Sequence, residues 1–148
     1  MTAYSHALLL DNSAWARVLD GRLDGPPRKT FEAALTAGRL WTCPPALLEM
    51  RYSALDGHQF AALVAELDAL PHAPLTAAAA ARALTAQAEL AAAPGASHRV
   101  KPVDLLIAAV AAAERLGVLH YDRDYDTIAQ HTSLDFPSVW IAPRGSLG

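Results

Sequence analysis

Short unbroken apolar runs alternate along this chain with longer stretches in which apolar residues return every three or four positions. An unbroken run marks a strand buried on both faces, and the three-to-four-residue return marks an amphipathic helix. Residues 7–10 form the first such run and end at Asp11, after which Asn12 and Ser13 are suited to cap a helix carrying Trp15, Val18 and Leu19. Beyond Gly25-Pro26-Pro27 a second helix is expected over 28–37, closed by Gly38 in a left-handed conformation, and then a strand over 40–43. Pro44 and Pro45 suit only the start of a helix, so 46–54 places Glu49 in a second turn. Residues 59–70 present Phe60, Leu63, Val64, Leu67 and Leu70 on one face, and 71–75 leaves room for a short third strand. Thr76 caps an alanine-rich helix to residue 92, which Arg82, Leu84, Glu89 and Leu90 mark as an ordinary helix rather than low complexity. Pro102 opens the most hydrophobic helix, with Leu106, Ala109, Val110, Ala113 and Leu116 on one stripe and Gly117 as its stop. A strand over 118–121, a short helix over 125–130 and a strand over 138–141 complete the pattern.

Strands alternating with helices predict an α/β fold: a central parallel sheet covered on both faces, with its functional cleft at the carboxyl ends of the strands. The 148 residues, 53% of them hydrophobic, suit one domain spanning 1–148. The longest uncharged stretch, 69–81, contains two prolines and is too short to span a bilayer, and residues 1–10 lack the basic start of a secretion signal. A cytoplasmic protein is the expectation. Cys43, the single cysteine, excludes an internal disulfide and a thiolate cluster, and beside two prolines it reads as a buried structural thiol.

Candidate chemistry lies in four separated acidic patches: Asp11 in LLLDNS, Glu49 in PPALLEM, Asp104 in KPVDLLIAA, and Asp122 with Asp124 in LHYDRDYD. A buried carboxylate without a partner is costly, so acids placed repeatedly at the ends of apolar runs point to convergence on a cation. Carboxylates are the hard oxygen ligands that Mg²⁺ and Mn²⁺ prefer, and such ions serve phosphodiester hydrolysis. The net charge of −3 argues against a nucleic-acid partner only until five of the fifteen acids are assigned to face metal. Taken singly, each acid has another reading: Asp11 as a helix cap, Asp104 as an acid favoured by a helix dipole, Glu49 as a helix acid paired with Arg51 or Arg39. A calcium loop starting at Asp122 is excluded, since Thr127 stands where glycine is required and Ser133 where a bidentate Glu is required. The six histidines show no zinc spacing, and His120 reads as a satisfied core residue.

In order and separation these motifs resemble the PIN-domain ribonucleases, and within them the VapC-type toxins of bacterial toxin–antitoxin pairs. LLLDNSAWAR is similar to the opening motif, PPALLEM to the second, KPVDLLIAAVA to the third and LHYDRDYDTIA to the fourth, so the likeness covers nearly the whole chain. The resemblance implies a three-layer fold, Mg²⁺ or Mn²⁺, RNA hydrolysis leaving a 5′-phosphate and a 3′-hydroxyl, a homodimer, and a VapB-type antitoxin whose C-terminal segment enters the cleft. It carries over Asp11, Glu49, Asp104 and Asp122 as the catalytic metal-site acids and Asp124 as an auxiliary, with Ser13 orienting Asp11 or binding substrate phosphate. Asp126 falls where the family varies.

Arg99, Lys101 and Arg123 are candidates for phosphate contacts, which set position rather than sequence choice. Tyr52 and Tyr125 are candidates for stacking on unpaired bases, whereas Trp15 reads as core. The leading function is a metal-dependent endoribonuclease. The alternative is the same fold serving as a non-catalytic RNA- or protein-binding module, which retention of every expected acid disfavours. A receiver-type phosphoacceptor needs adjacent N-terminal acids and a late lysine, and the chain offers Asp11-Asn12 with no lysine after Lys101.

Overall fold

The computed structural model describes Tyr4 and residues 6–147. Residues 1–3, 5 and 148 lie outside the described residues, and with them part of the 1–10 stretch that lacks the basic start of a secretion signal. The elements in order are β1 (Leu8–Leu10), α1 (Asn12–Leu19), α2 (Gly25–Thr36), β2 (Leu40–Trp41), α3 (Pro44–Tyr52), α4 (Gly57–Leu67), α5 (Ala77–Ala92), α6 (Pro102–Glu114), β3 (Gly117–His120), α7 (Asp124–His131) and β4 (Ser138–Trp140).

The four strands form one parallel sheet in the order β2-β1-β3-β4. Leu8, Leu9 and Leu10 of β1 and all four residues of β3 are buried, as a strand covered on both faces requires. Helices complete a three-layer α/β/α arrangement. α6 is its centre: Ile107 to Ala111 are all fully buried, and the helix packs against α3, α5, α7, β1 and β3. The chain leaves β1 toward β2 on one side and toward β3 on the other, so the order reverses between β1 and β3. That reversal opens a crevice at the strands' carboxyl ends, and Asp11 and Asp122 follow those two strands.

Two local expectations are corrected. Residues 71–75 form no strand; His72 makes a single parallel bridge to Thr42, because Pro71 and Pro74 leave too few donors for a ladder. Gly117 does not stop α6 but starts β3, and the helix ends at Arg115 in a left-handed conformation (φ 58°, ψ 42°). Gly38 does take the expected left-handed conformation (φ 71°). On α4 only Leu67 of the expected face is buried, and Phe60 is 43% exposed.

Candidate metal centre

Asp11 sits at the junction of β1 and α1. Its backbone N–H extends the ladder to Leu119 O (3.0 Å), and its side chain caps α1 by accepting the Ser13 N–H at Oδ2 (2.9 Å). The Ser13 hydroxyl donates to the same oxygen (2.6 Å) and accepts the Tyr121 N–H (2.9 Å). Ser13 therefore orients Asp11, with its hydroxyl occupied on both sides. Asp104 enters from the first turn of α6, where the helix dipole favours an acid. Glu49 enters from α3, in the second turn after Pro44 and Pro45, and Asp122 and Asp124 come from the turn between β3 and α7. Asp122 Oδ1 accepts the Asp124 N–H (2.9 Å), which folds that turn back on itself.

These acids converge in two overlapping groups, Asp11–Glu49–Asp104 and Asp104–Asp122–Asp124, in each of which one carboxylate oxygen per residue lies within 4.8 Å of the others. Asp104 belongs to both. Its carboxyl is 1% exposed, and its Oδ2 is buried with no hydrogen-bond partner. An orphaned buried carboxylate oxygen is expensive unless a cation satisfies it, and the all-oxygen donor set suits a hard divalent ion. The residues present fit Mg²⁺ or Mn²⁺.

The electrostatics report the same crowding. Burial, then repulsion from Asp11, pushes the Asp104 carboxyl up from its ordinary 3.8 to about 7. Glu49 is raised by burial and then by Asp11, and Asp124 by burial and then by Asp122. The compensating cation is Lys101, whose Nζ lies 3.9 Å from Asp122 Oδ2. Burial works to lower its pKa, but attraction to Asp104, Asp122, Glu49 and Asp11 leaves it raised. Arg123 is exposed beside Asp124, whereas Arg99 lies exposed in the turn before α6, with no contact to the acids recorded among the described residues.

Four residues outside the expected metal-site acids form a support. His120 Nδ1 accepts the Asp122 N–H (3.1 Å), so Nε2 carries the proton toward Ser138 Oγ (2.7 Å). Ser138 Oγ donates to Asp126 Oδ1 (2.6 Å), and Trp140 Nε1 donates to Asp126 Oδ2 (2.9 Å). Asp126 thus braces α7 against β4 and belongs to neither carboxylate group. Burial lowers the His120 pKa to about 4, which keeps it neutral and able to accept from Asp122. Tyr125 is fully buried, which corrects its candidacy for base stacking: its hydroxyl donates to Asp11 Oδ1 (2.6 Å) and lies 3.2 Å from Asp104 Oδ1. A phenol three residues after Asp122 on a short helix was the available sequence signal. Trp15 is core, Tyr52 is 91% exposed, and Cys43 is buried with its thiol pushed up to about 11 by burial. Glu49 makes no recorded ion pair with Arg39 or Arg51 among the described residues.

An apolar groove of about 510 Å³ lies apart from the acids, lined by Trp15, Val18, Phe31, Leu35, Leu40 and Leu70 among others. It touches the site only through Leu10, the residue before Asp11.

A strand-end cluster of acids at the switch point of a parallel sheet defines a class, and the PIN domain pattern matches residues 8–130. Two curated proteins of Mycobacterium tuberculosis (strain ATCC 25618 / H37Rv) are similar over most of their length. Ribonuclease VapC18 is 39% identical over 139 residues, 93% of this chain and 97% of that protein. Ribonuclease VapC51 is 36% identical over 127 residues, 85% and 90% respectively. The chain therefore belongs to the PIN-domain family, in its VapC-type ribonuclease branch. Solved structures share the fold: DNA-bound VapBC from Salmonella typhimurium (TM-score 0.70, 19% identity, 93% of this chain and 99% of that one) and FitAcB from Neisseria gonorrhoeae (0.62, 17%, 90% and 96%).

Proposed function

We propose that this chain is a Mg²⁺- or Mn²⁺-dependent endoribonuclease, the toxin of a toxin–antitoxin pair. The observation that carries the reading is the buried, unpartnered Oδ2 of Asp104, the residue common to two carboxylate groups. Asp11, Glu49, Asp104, Asp122 and Asp124 would hold the ion or ions. Bound there, a divalent ion supplies a water of lowered pKa and stabilises charge developing on the phosphate.

The chain's own residues supply the rest. Ser13 holds Asp11 Oδ2 through two donors, which would preorganise that carboxylate for the reaction. Lys101 offsets part of the negative charge that an approaching phosphate would meet, and Arg123 at the rim would take a neighbouring phosphate. Arg99 would act only on a longer RNA reaching the turn before α6.

The antitoxin would be VapB-like. Support comes from VapBC and FitAcB, which share this fold, and from the apolar groove, which would take apolar residues of a partner. A homodimer and a cytoplasmic location belong to the same reading; no described helix is long and apolar enough to cross a membrane. A non-catalytic binding module would have no use for an orphaned buried carboxylate.

Replacing Asp104 or Asp11 with Asn tests the reading on purified protein. Cleavage of a structured RNA should fall on the order of 10³-fold, matching the several kcal/mol that metal-ion charge stabilisation supplies, with the circular dichroism spectrum unchanged. Full metal-dependent cleavage by Asp104→Asn would overturn it.

A further inference from the structure

We propose that Tyr125 is a positioning residue for the metal centre, its hydroxyl setting the rotation of Asp11 and Asp104 so that their remaining lone pairs face one cation. The inference rests on the function proposed above and adds to the acids a non-acidic residue of the fourth motif.

The argument is a count of donors and lone pairs. A phenol has one proton, which goes to Asp11 Oδ1 at 2.6 Å, while the 3.2 Å contact to Asp104 Oδ1 shares it more weakly. Asp11 Oδ2 already receives two donors from Ser13. A carboxylate oxygen has about two lone-pair sites, so Asp11 is left with acceptor capacity only on Oδ1, beside the hydroxyl. Asp104 keeps one site on Oδ1 and all of Oδ2, the buried atom without a partner. The hydroxyl thus joins α7 to the start of α1 and to α6, and leaves unused capacity on two acids that each bring a carboxylate oxygen within 4.8 Å of the other.

The ring that carries this hydroxyl is itself fixed. Tyr125 is 0% exposed, and it stacks on His120 with centroids 4.9 Å apart and planes at 29°. His120 is tied through Ser138 to Asp126 and Trp140, so the chain of contacts runs from β4 to the acids. A residue present only to fill the core would need the ring and not the oxygen.

Tyr125→Phe keeps the ring and removes the oxygen. In titration calorimetry with Mn²⁺ the variant should bind roughly 10- to 100-fold more weakly than wild type, the usual effect of losing a group that orients metal ligands. The Mg²⁺ concentration for half-maximal RNA cleavage should rise by the same factor, and the rate at saturating ion should recover to within a few-fold. A folded Tyr125→Phe with wild-type Mn²⁺ affinity would overturn the inference and leave the proposed function standing. Absence of Mn²⁺ binding by wild type would overturn both. If the variant does not fold, wild-type protein with labelled tyrosine rings answers the question. The Tyr125 resonances should shift on Mg²⁺ addition with the midpoint of ion binding, and resonances that stay fixed through saturation would overturn the proposal.

Discussion

Asp104 carries a conflict that its neighbours only partly relieve. It is buried beside Asp11, with Lys101 as the nearby cation, and holds its proton up to about pH 7 when no ion is bound. An unfolded chain would release that proton near 3.8. Between those values the native state binds the extra proton, so this group's contribution to stability falls as pH rises from about 4 to about 7, and is level above. His120 works in the opposite sense: neutral in the fold down to about 4, it contributes stability present above its ordinary 6.5 and lost as pH falls toward 4. Glu49 and Asp124 shift in the same direction as Asp104. Comparing wild type with Asp104→Asn cancels most of what the others contribute. In chelator, the Tm of Asp104→Asn minus that of wild type should grow as pH is raised from about 4 to about 7 and then stay constant. A difference independent of pH would mean that Asp104 ionises as an ordinary acid. Each candidate acid was legible in the sequence by its place after an apolar run or, for Glu49, Asp104 and Asp124, in the first two turns of a helix. The hydroxyl of Tyr125 and the Asp126–Trp140 brace were not, because their partners lie 114 and 14 residues away and no local period encodes either distance.

β3 is the element on which the centre leans, since it pairs with both β1 and β4 and ends at His120, two residues before Asp122. Its first residue explains a misreading. Gly117 follows an apolar helix and suits a helix stop, yet α6 is already closed by Arg115 in a left-handed conformation that costs a non-glycine residue about 1–2 kcal/mol. Gly117 is needed for space instead. A Cβ there would lie 2.5 Å from Leu8 Cδ2, the end of a buried side chain, and 3.1 Å from the Pro137 carbonyl oxygen, which the Val118 N–H holds. Local spacing announces a glycine but not which demand it meets; only the register Leu8–Gly117 separates them. The two roles predict opposite results. Gly117→Ala should lose about 1–3 kcal/mol by overpacking against β1, whereas Arg115→Gly should gain up to about 1 kcal/mol by relieving the left-handed residue. Urea unfolding of both variants checks the pair, and a destabilised Arg115→Gly would show that the arginine side chain contributes more than its backbone strain costs. The alternation of strands and helices was legible because buried parallel strands and amphipathic helices have different periods. The 71–75 stretch has the length of a short strand, but Pro71 and Pro74 remove two of its donors and only the His72 bridge to Thr42 forms.

Across the whole molecule the net charge is only −3, yet five of fifteen acids sit in one crevice. The fold therefore holds locally concentrated negative charge that general surface electrostatics do not reveal. Two remedies differ in kind. Monovalent salt screens exposed charges within a Debye length of about 8–10 Å but reaches buried groups poorly. A divalent ion held by Asp104 and its neighbours would instead offset the buried charge itself, and anything that binds only the folded state stabilises it by mass action. At an ion concentration about 100 times its dissociation constant this amounts to about 2.7 kcal/mol, or roughly 5–10 °C in Tm for a chain of this size. Thermal melts at pH 7.5 should show Mg²⁺ or Mn²⁺ raising Tm with the logarithm of concentration, while NaCl at matched ionic strength raises it little. Asp104→Asn should melt higher than wild type in chelator, because the repulsion is gone, and lose the ion-specific rise, because the common ligand is gone. Equal responses to MnCl₂ and NaCl would reduce the cluster to screened surface charge, whereas crossing of the wild-type and Asp104→Asn melting temperatures as ion is added is the behaviour that only a coordinated site produces.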